Sequence, residues 1–230
     1  MNKVTAGVIC EFVGTFALMF VGGGAILHNF DGNGNIVAIA LAHGLVLSVM
    51  VSATMHVSGG QFNPAVSLAL AVIRRQSWGQ ALAFAAAQCV GAALAAFILK
   101  AAFTPDAVAA GKLGATLASL SNTDSLPLLL ALEAIATFFL MFTIMGSAVD
   151  SRGVGGSRAV GGFAIGLCVA ACILCFGPLT GASMNPARSF GPALVGGFWD
   201  VHWAYWVAPI VGATAAALVW DRVLISRKPG

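Results

Sequence analysis

Residues 58–65 read Ser58-Gly59-Gly60-Gln61-Phe62-Asn63-Pro64-Ala65, and residues 180–187 read Thr180-Gly181-Ala182-Ser183-Met184-Asn185-Pro186-Ala187. Asparagine is a favoured helix N-cap, and proline suits the first helical turn, where its missing N–H is no loss. Each Asn-Pro-Ala triplet therefore predicts a helix start. The apolar pieces that follow, about 64–73 and 186–195, are far too short to cross a hydrocarbon core, which takes roughly 20 residues. Six other apolar stretches are long enough, at about 6–27, 36–56, 78–101, 127–149, 157–177 and 202–223. Non-helical backbone at membrane depth is tolerated only when buried in protein or lining a wet cavity. Two half-length helices thus imply a cavity or a pore.

The triplets stand 122 residues apart (63 to 185), and the same offset relates Glu11-Phe12-Val13-Gly14-Thr15-Phe16 to Glu133-Ala134-Ile135-Ala136-Thr137-Phe138. Ala87–Ala96 (AQCVGAALAA) and Ala208–Ala217 (APIVGATAAA) match at 121. The chain reads as one transmembrane domain, 1–230, made of two repeats, about 1–108 and 123–230. Each repeat holds three full spans, an odd number, so the two must lie in the membrane with opposite orientation. The two half-helices then enter from opposite faces, and their N-termini, with Asn63 and Asn185, meet near the midplane.

Composition agrees. Of 230 residues, 59% are hydrophobic and 8% charged, against about a quarter charged in a soluble domain, and the mean hydropathy is +0.94. A net charge of +3 is too weak and scattered to argue for nucleic acid. The cysteines Cys10, Cys89, Cys168, Cys172 and Cys175 lie in apolar runs; Cys172 and Cys175 are spaced Cys-x-x-Cys, but with no second such pair and no histidine cluster beside them all five read as small buried hydrophobes, and no metal site and no cofactor are expected. With six spans, Lys3, Arg74, Arg75, Arg152, Arg158, Arg222, Arg227 and Lys228 fall on one side and Lys100 and Lys112 on the other, which places both termini in the cytoplasm, with the cell membrane the expected location.

Each half-helix N-terminus carries roughly half a positive charge, so it repels cations while a water oxygen accepts hydrogen bonds from the asparagines. Arg188, three residues past Asn185, costs roughly 2.5–3.5 kcal/mol at bilayer depth; its natural place is the wall of a watery constriction, with snorkelling or carboxylate pairing as the alternative. Phe20, Val49 and Ile165 are candidates for an apolar pore wall. Glu11 and Glu133 hold equivalent positions deep in spans one and four. A scaffold role, accepting N–H groups of the re-entrant loops, is favoured because such a contact is needed twice; a coupled transporter using either glutamate stays open. His56 reads as a loop anchor or a pH sensor, His28 and His202 as interfacial. The loop around Asp150–Arg158 is short and glycine-rich, which argues against an occluding gate.

These residues closely resemble the aquaporin (major intrinsic protein) family: the two triplets, His56-Val57-Ser58-Gly59-Gly60 before the first, Gly181-Ala182-Ser183-Met184 before the second, Arg188-Ser189-Phe190-Gly191-Pro192 after it, and paired Glu11 and Glu133. The resemblance implies an all-α membrane protein, a right-handed bundle of six tilted helices and two re-entrant half-helices, with a pore in every protomer of a homotetramer seated in lipid. It also implies a passive channel for water, not an enzyme. Ser189, Ala193 and Tyr205-Trp206 look like the water-selective branch rather than a glycerol facilitator, which remains the alternative. The family's narrowest ring maps to His43, Ile173, Ala182 and Arg188, a set similar to plant vacuolar-membrane relatives that often pass ammonia, urea or hydrogen peroxide. Ile173 leaves more room than an imidazole. His43 is expected beside Arg188, facing passing solute, or as a core histidine bonded to a backbone carbonyl. No cysteine stands at Ala182, where many mercury-blocked relatives have one.

Overall fold

In the computed structural model, residues 3–29, 35–117, 125–152 and 158–225 are described. Six long helices carry the fold: α1 (Lys3–His28), α2 (Ile36–Ser58), α4 (Trp78–Ala102), α6 (Leu126–Ile144), α7 (Arg158–Thr180) and α9 (Ala204–Val219). Single π-helical turns, Met145–Val149 and Trp220–Leu224, extend α6 and α9. All six are long and apolar enough to cross a membrane. Between them stand two short helices, α3 (Pro64–Val72) and α8 (Pro186–Gly196), each starting at its proline. Since α2 ends and α4 begins on the face where α1 begins and α9 ends, α3 returns to that face, here termed the terminal face; α8 returns to the opposite one.

Small residues set the closest helix crossings. Gly44 of α2 and Gly166 of α7, 122 residues apart, face one another, and a Cβ built on Gly44 would lie 2.7 Å from the Gly166 carbonyl oxygen. Gly91 of α4 meets the Phe12 carbonyl of α1, and Gly212 of α9 meets the Ala134 carbonyl of α6. Backbones approach this closely only where no side chain intervenes, which is how helices associate when lipid supplies no hydrophobic drive. Outward faces carry Val49, Leu82, Val90, Phe97, Phe163 and Val211, all more than half exposed. Val49 thus faces away from the interior, and Phe20 stacks on Phe16 and packs beside Met19 and Leu99; of the three wall candidates only Ile165 lines a cavity. The sequence left the choice among the three open because an apolar residue is equally at home against lipid. Among the cysteines only Cys172 is buried, Cys175 being exposed.

One feature was not anticipated. After α4 the chain forms a short helix, α5 (Pro105–Gly111), and a 3₁₀ turn at Lys112–Gly114. Thr104 caps α5, its hydroxyl accepting from Ala107 N–H at 3.3 Å. On the terminal face, Asp150 accepts from Arg152 at 2.6 Å and from Trp220 Nε1–H at 3.1 Å, and the guanidinium holds its carboxyl well below the usual carboxylate range. Arg152 also donates to the Leu224 carbonyl at 2.8 Å, tying the start of that loop to the end of α9. The rest of the loop, 153–157, lies outside the described residues, as do Arg227 and Lys228.

Candidate functional site

Each re-entrant loop reverses direction through left-handed backbone. Gly59, Gly60 and Phe62 have φ of 92°, 60° and 48°; Gly181, Ala182 and Met184 have 82°, 43° and 52°. Asn63 and Asn185 then return to extended φ of −153° and −149° and cap the half-helices. Left-handed backbone disfavours any Cβ, so Phe62, Ala182 and Met184 hold only because their surroundings fix them.

The fixing groups are the two buried glutamates. Glu11 Oε1 accepts from Ser58 Oγ–H at 2.7 Å and Gln61 N–H at 2.9 Å, while Oε2 accepts from Phe62 N–H at 2.5 Å and Gln88 Nε2–H at 2.7 Å. Glu133 accepts from Thr180 Oγ1–H at 2.7 Å and from the N–H groups of Ser183 and Met184, both at 2.9 Å. Carboxylates bonded this way satisfy donors that would otherwise be orphaned at membrane depth. His56 does not join them. Its side chain is exposed at the end of α2 and, among the described residues, makes no hydrogen bond to the loop; two residues on, Ser58 turns inward and supports the loop instead, also accepting from Gly60 N–H at 3.1 Å. The expectation for His56 is corrected accordingly. Ser58 and Thr180 share the 122-residue offset of the triplets, a signal by which both were findable.

The half-helix tips are cross-linked. Asn63 Nδ2–H donates to the Met184 carbonyl at 2.7 Å, and Asn185 Nδ2–H donates to the Phe62 carbonyl at 2.8 Å. Each Oδ1 is used as the cap, accepting from Ala65 N–H at 2.9 Å and Ala187 N–H at 3.1 Å. A side-chain amide has two N–H donors, so each asparagine keeps one beyond this cross-link, and both line the same central cavity.

Arg188, in the first turn of α8, is 4% exposed. Nη1–H donates to the Gly114 carbonyl at 2.6 Å, and Nη2 lies 3.3 Å from His43 Nε2. Arginine only donates, so His43 Nε2 accepts; its Nδ1–H then donates to the Ile39 carbonyl at 2.9 Å, which sets the neutral tautomer. The Nε2 lone pair is therefore committed to Arg188, and His43 combines both sequence readings: it stands beside the arginine and is bonded to a backbone carbonyl. Sequence reasoning did not find the Gly114 acceptor, whose turn sits more than 70 residues before Arg188.

His43, Ile173, Ala182 and Arg188 all line the narrow central cavity, of about 30 Å³, together with Asn63 and Asn185. It shares His43, Ile173 and Arg188 with a cavity of about 210 Å³ toward the opposite face. It shares Gly60, Gln61, Ile144 and Ile165 with one of about 130 Å³ toward the terminal face. The cavities follow one another past the asparagines, with apolar side chains of α2, α6 and α7 on one wall and the re-entrant loops on the other. Such an arrangement can pass a small polar molecule in file; among the described residues no group of histidine, cysteine or carboxylate side chains is placed to hold a metal.

Residues 2–220 match the family model described as major intrinsic protein. The chain is 43% identical to "Aquaporin NIP1-1" of Oryza sativa subsp. japonica over 96% of this chain and 75% of that protein. It is 42% identical to "Aquaporin TIP4-4" of Zea mays over 96% of this chain and 87% of that one. Its fold is similar to that of the aquaglyceroporin from Plasmodium falciparum, with a TM-score of 0.86 at 24% identity over 96% of this chain and 97% of the other. Near-equal identity to two differently named plant proteins means that overall likeness does not single out the vacuolar-type relatives suggested by the ring. Six spanning helices, two capped half-helices joined at their tips and a match over nearly the whole chain lead to one conclusion: the chain is a multi-pass membrane protein that belongs to the major intrinsic protein family of channels.

Proposed function

We propose that the protein is a passive channel for water that also passes small neutral solutes such as ammonia, urea or hydrogen peroxide and excludes protons and ions. The observation that carries this reading is the cross-linked pair Asn63–Asn185, two half-helix tips with unspent N–H donors beside a series of cavities linking the two faces. Positive half-helix ends and an arginine form an electrostatic barrier to protons and cations, whereas a neutral oxygen is held by hydrogen bonds. In this reading Asn63, Pro64, Ala65, Asn185, Pro186 and Ala187 form the central site, His43, Ile173, Ala182 and Arg188 the selectivity ring, and Glu11 and Glu133 the loop supports. The glutamates' full engagement favours this over a coupled transporter. Repeats of about 1–108 and 123–230 form one domain, four copies assemble in the cell membrane, and the Arg74, Arg75, Arg152 and Arg222 cluster puts the terminal face, with both chain ends, in the cytoplasm.

Reconstituted proteoliposomes test the reading. Stopped-flow shrinkage is expected to be faster than in empty vesicles, with low activation energy and no proton conductance; rates equal to empty vesicles would reject it. The ring is tested separately. Ile173 lines the same cavity as Arg188, and Ile173→His is expected to narrow the ring and lower the urea-to-water and ammonia-to-water permeability ratios. If both ratios stay at the wild-type value, Ile173 does not set the ring. A panel of water, ammonia, urea, glycerol and hydrogen peroxide separates this reading from a glycerol facilitator of the same fold.

A further inference from the structure

Among the described residues, Gln61 is the one common to the central cavity, the terminal-face cavity and the wider groove of about 480 Å³ beyond it. Both ends of its amide are fixed. Oε1 accepts from Ser67 Oγ–H at 2.6 Å, and Nε2–H donates to Gln76 Oε1 at 2.6 Å and, at a longer 3.5 Å, to the Ser58 carbonyl. Ser67 in turn accepts from Gln88 Nε2–H at 3.1 Å, and Gln88 reaches Glu11. The Gln61 side chain therefore ends a hydrogen-bonded chain that begins at a loop-supporting carboxylate. Its last partner, Gln76, belongs to the surface turn between α3 and α4 and lines the open groove. Gln76 Nε2 is buried without a protein partner.

The second repeat does not reproduce this. At the equivalent position stands Ser183, whose short side chain donates to the Asn185 carbonyl at 2.9 Å and pairs with Ser189 of α8, the counterpart of Ser67, but does not reach a turn outside its loop and half-helix. One end of the path is thus framed by the guanidinium of Arg188, the other by a neutral amide held from outside the path.

Resting on the channel reading above, we propose that Gln61 is a second selectivity determinant at the terminal-face mouth, and that Gln76 is the positioning residue that holds its amide in place. With the amide pinned, Gln61 presents a fixed obstruction to molecules larger than water. Released from Gln76, Nε2 keeps only its long contact to the Ser58 carbonyl, and the amide is free to pivot about Oε1 and offer an N–H to passing solute.

The test measures urea-to-water and glycerol-to-water permeability ratios in proteoliposomes of the full chain. Gln61→Ala keeps the backbone N–H that Glu11 accepts and is expected to raise both ratios about threefold to fivefold, the factor that one neutral hydrogen bond supplies in an equilibrium. Gln76→Leu is expected to raise them in the same direction, and Gln76→Glu, which retains an acceptor for Gln61, to restore the wild-type ratios. Unchanged ratios in both Gln61→Ala and Gln76→Leu would overturn the proposal. A change in Gln61→Ala alone would overturn the role of Gln76, as would a Gln76→Glu that behaves like Gln76→Leu. Should Gln61→Ala not fold, the two variants of the surface residue Gln76 decide the matter. Wild-type vesicles no more permeable than empty ones would count against the channel reading itself, a separate outcome from unchanged ratios in an active channel.

Discussion

Glu11→Gln is expected to destabilise the protein by roughly 1–3 kcal/mol, because one buried backbone donor is left without its acceptor. Each oxygen of Glu11 accepts two donors. An amide with its NH₂ at the Oε1 position faces the Ser58 hydroxyl, which can turn to accept, and the Gln61 N–H, which cannot. At Glu133, Oε1 takes Thr180 and Ser183, and Oε2 takes only Met184. An amide oriented with its oxygen at Oε1 leaves the Met184 N–H unmet, so Glu133→Gln is expected to cost a similar amount. The measurement is the thermal unfolding midpoint of each purified variant, with yield of folded protein as a second readout. A Glu11→Gln protein that unfolds like wild type but has lost solute flux would give the glutamate a transport role and reinstate the coupled-transporter reading.

The second large effect concerns the ring. Arg188→Val removes the one charge among the described residues lining the central cavity and leaves the Gly114 carbonyl and His43 Nε2 without their donor. Its loss also widens the ring for a solute larger than water, and each 1.4 kcal/mol taken off a barrier is about tenfold in rate. The urea-to-water ratio is therefore expected to rise about tenfold or more, and a proton leak to appear. Arg188→Lys is expected to fall between the two, since a single ammonium does not reproduce a planar fork that reaches the Gly114 carbonyl and His43 together. Paired water, urea and proton fluxes check this. A ratio unchanged in Arg188→Val would place the narrowest point elsewhere, with Gln61 the next candidate.

The two substitutions probe different layers of one construction. Glu11 and Glu133 hold backbone in left-handed geometry at Phe62, Ala182 and Met184, which aims the asparagines at each other. Arg188 is held by a turn outside its own repeat. Losing the first dismantles the loops, whereas losing the second leaves them intact and changes what passes.

The sequence by itself determined the six spans, the two half-helices and their opposed insertion. Length against bilayer thickness and the Asn-Pro capping signal are local properties, and the 122-residue offset paired Glu11 with Glu133 without any knowledge of contacts. The family resemblance, rather than any spacing within the chain, grouped His43, Ile173, Ala182 and Arg188, which line one cavity. Tertiary structure alone decided which polar neighbour did the supporting. Ser58 turns inward and His56 outward because the crossing of α2 with its neighbours fixes which face is buried, and a helix apolar on all sides carries no periodic mark of that face. The same uniformity hid Val49 on the lipid-facing side. The Gly114 carbonyl under Arg188 and the Gln61–Gln76 pair were equally out of reach: both join side chains to groups brought near by packing, and no spacing along the chain encodes that proximity.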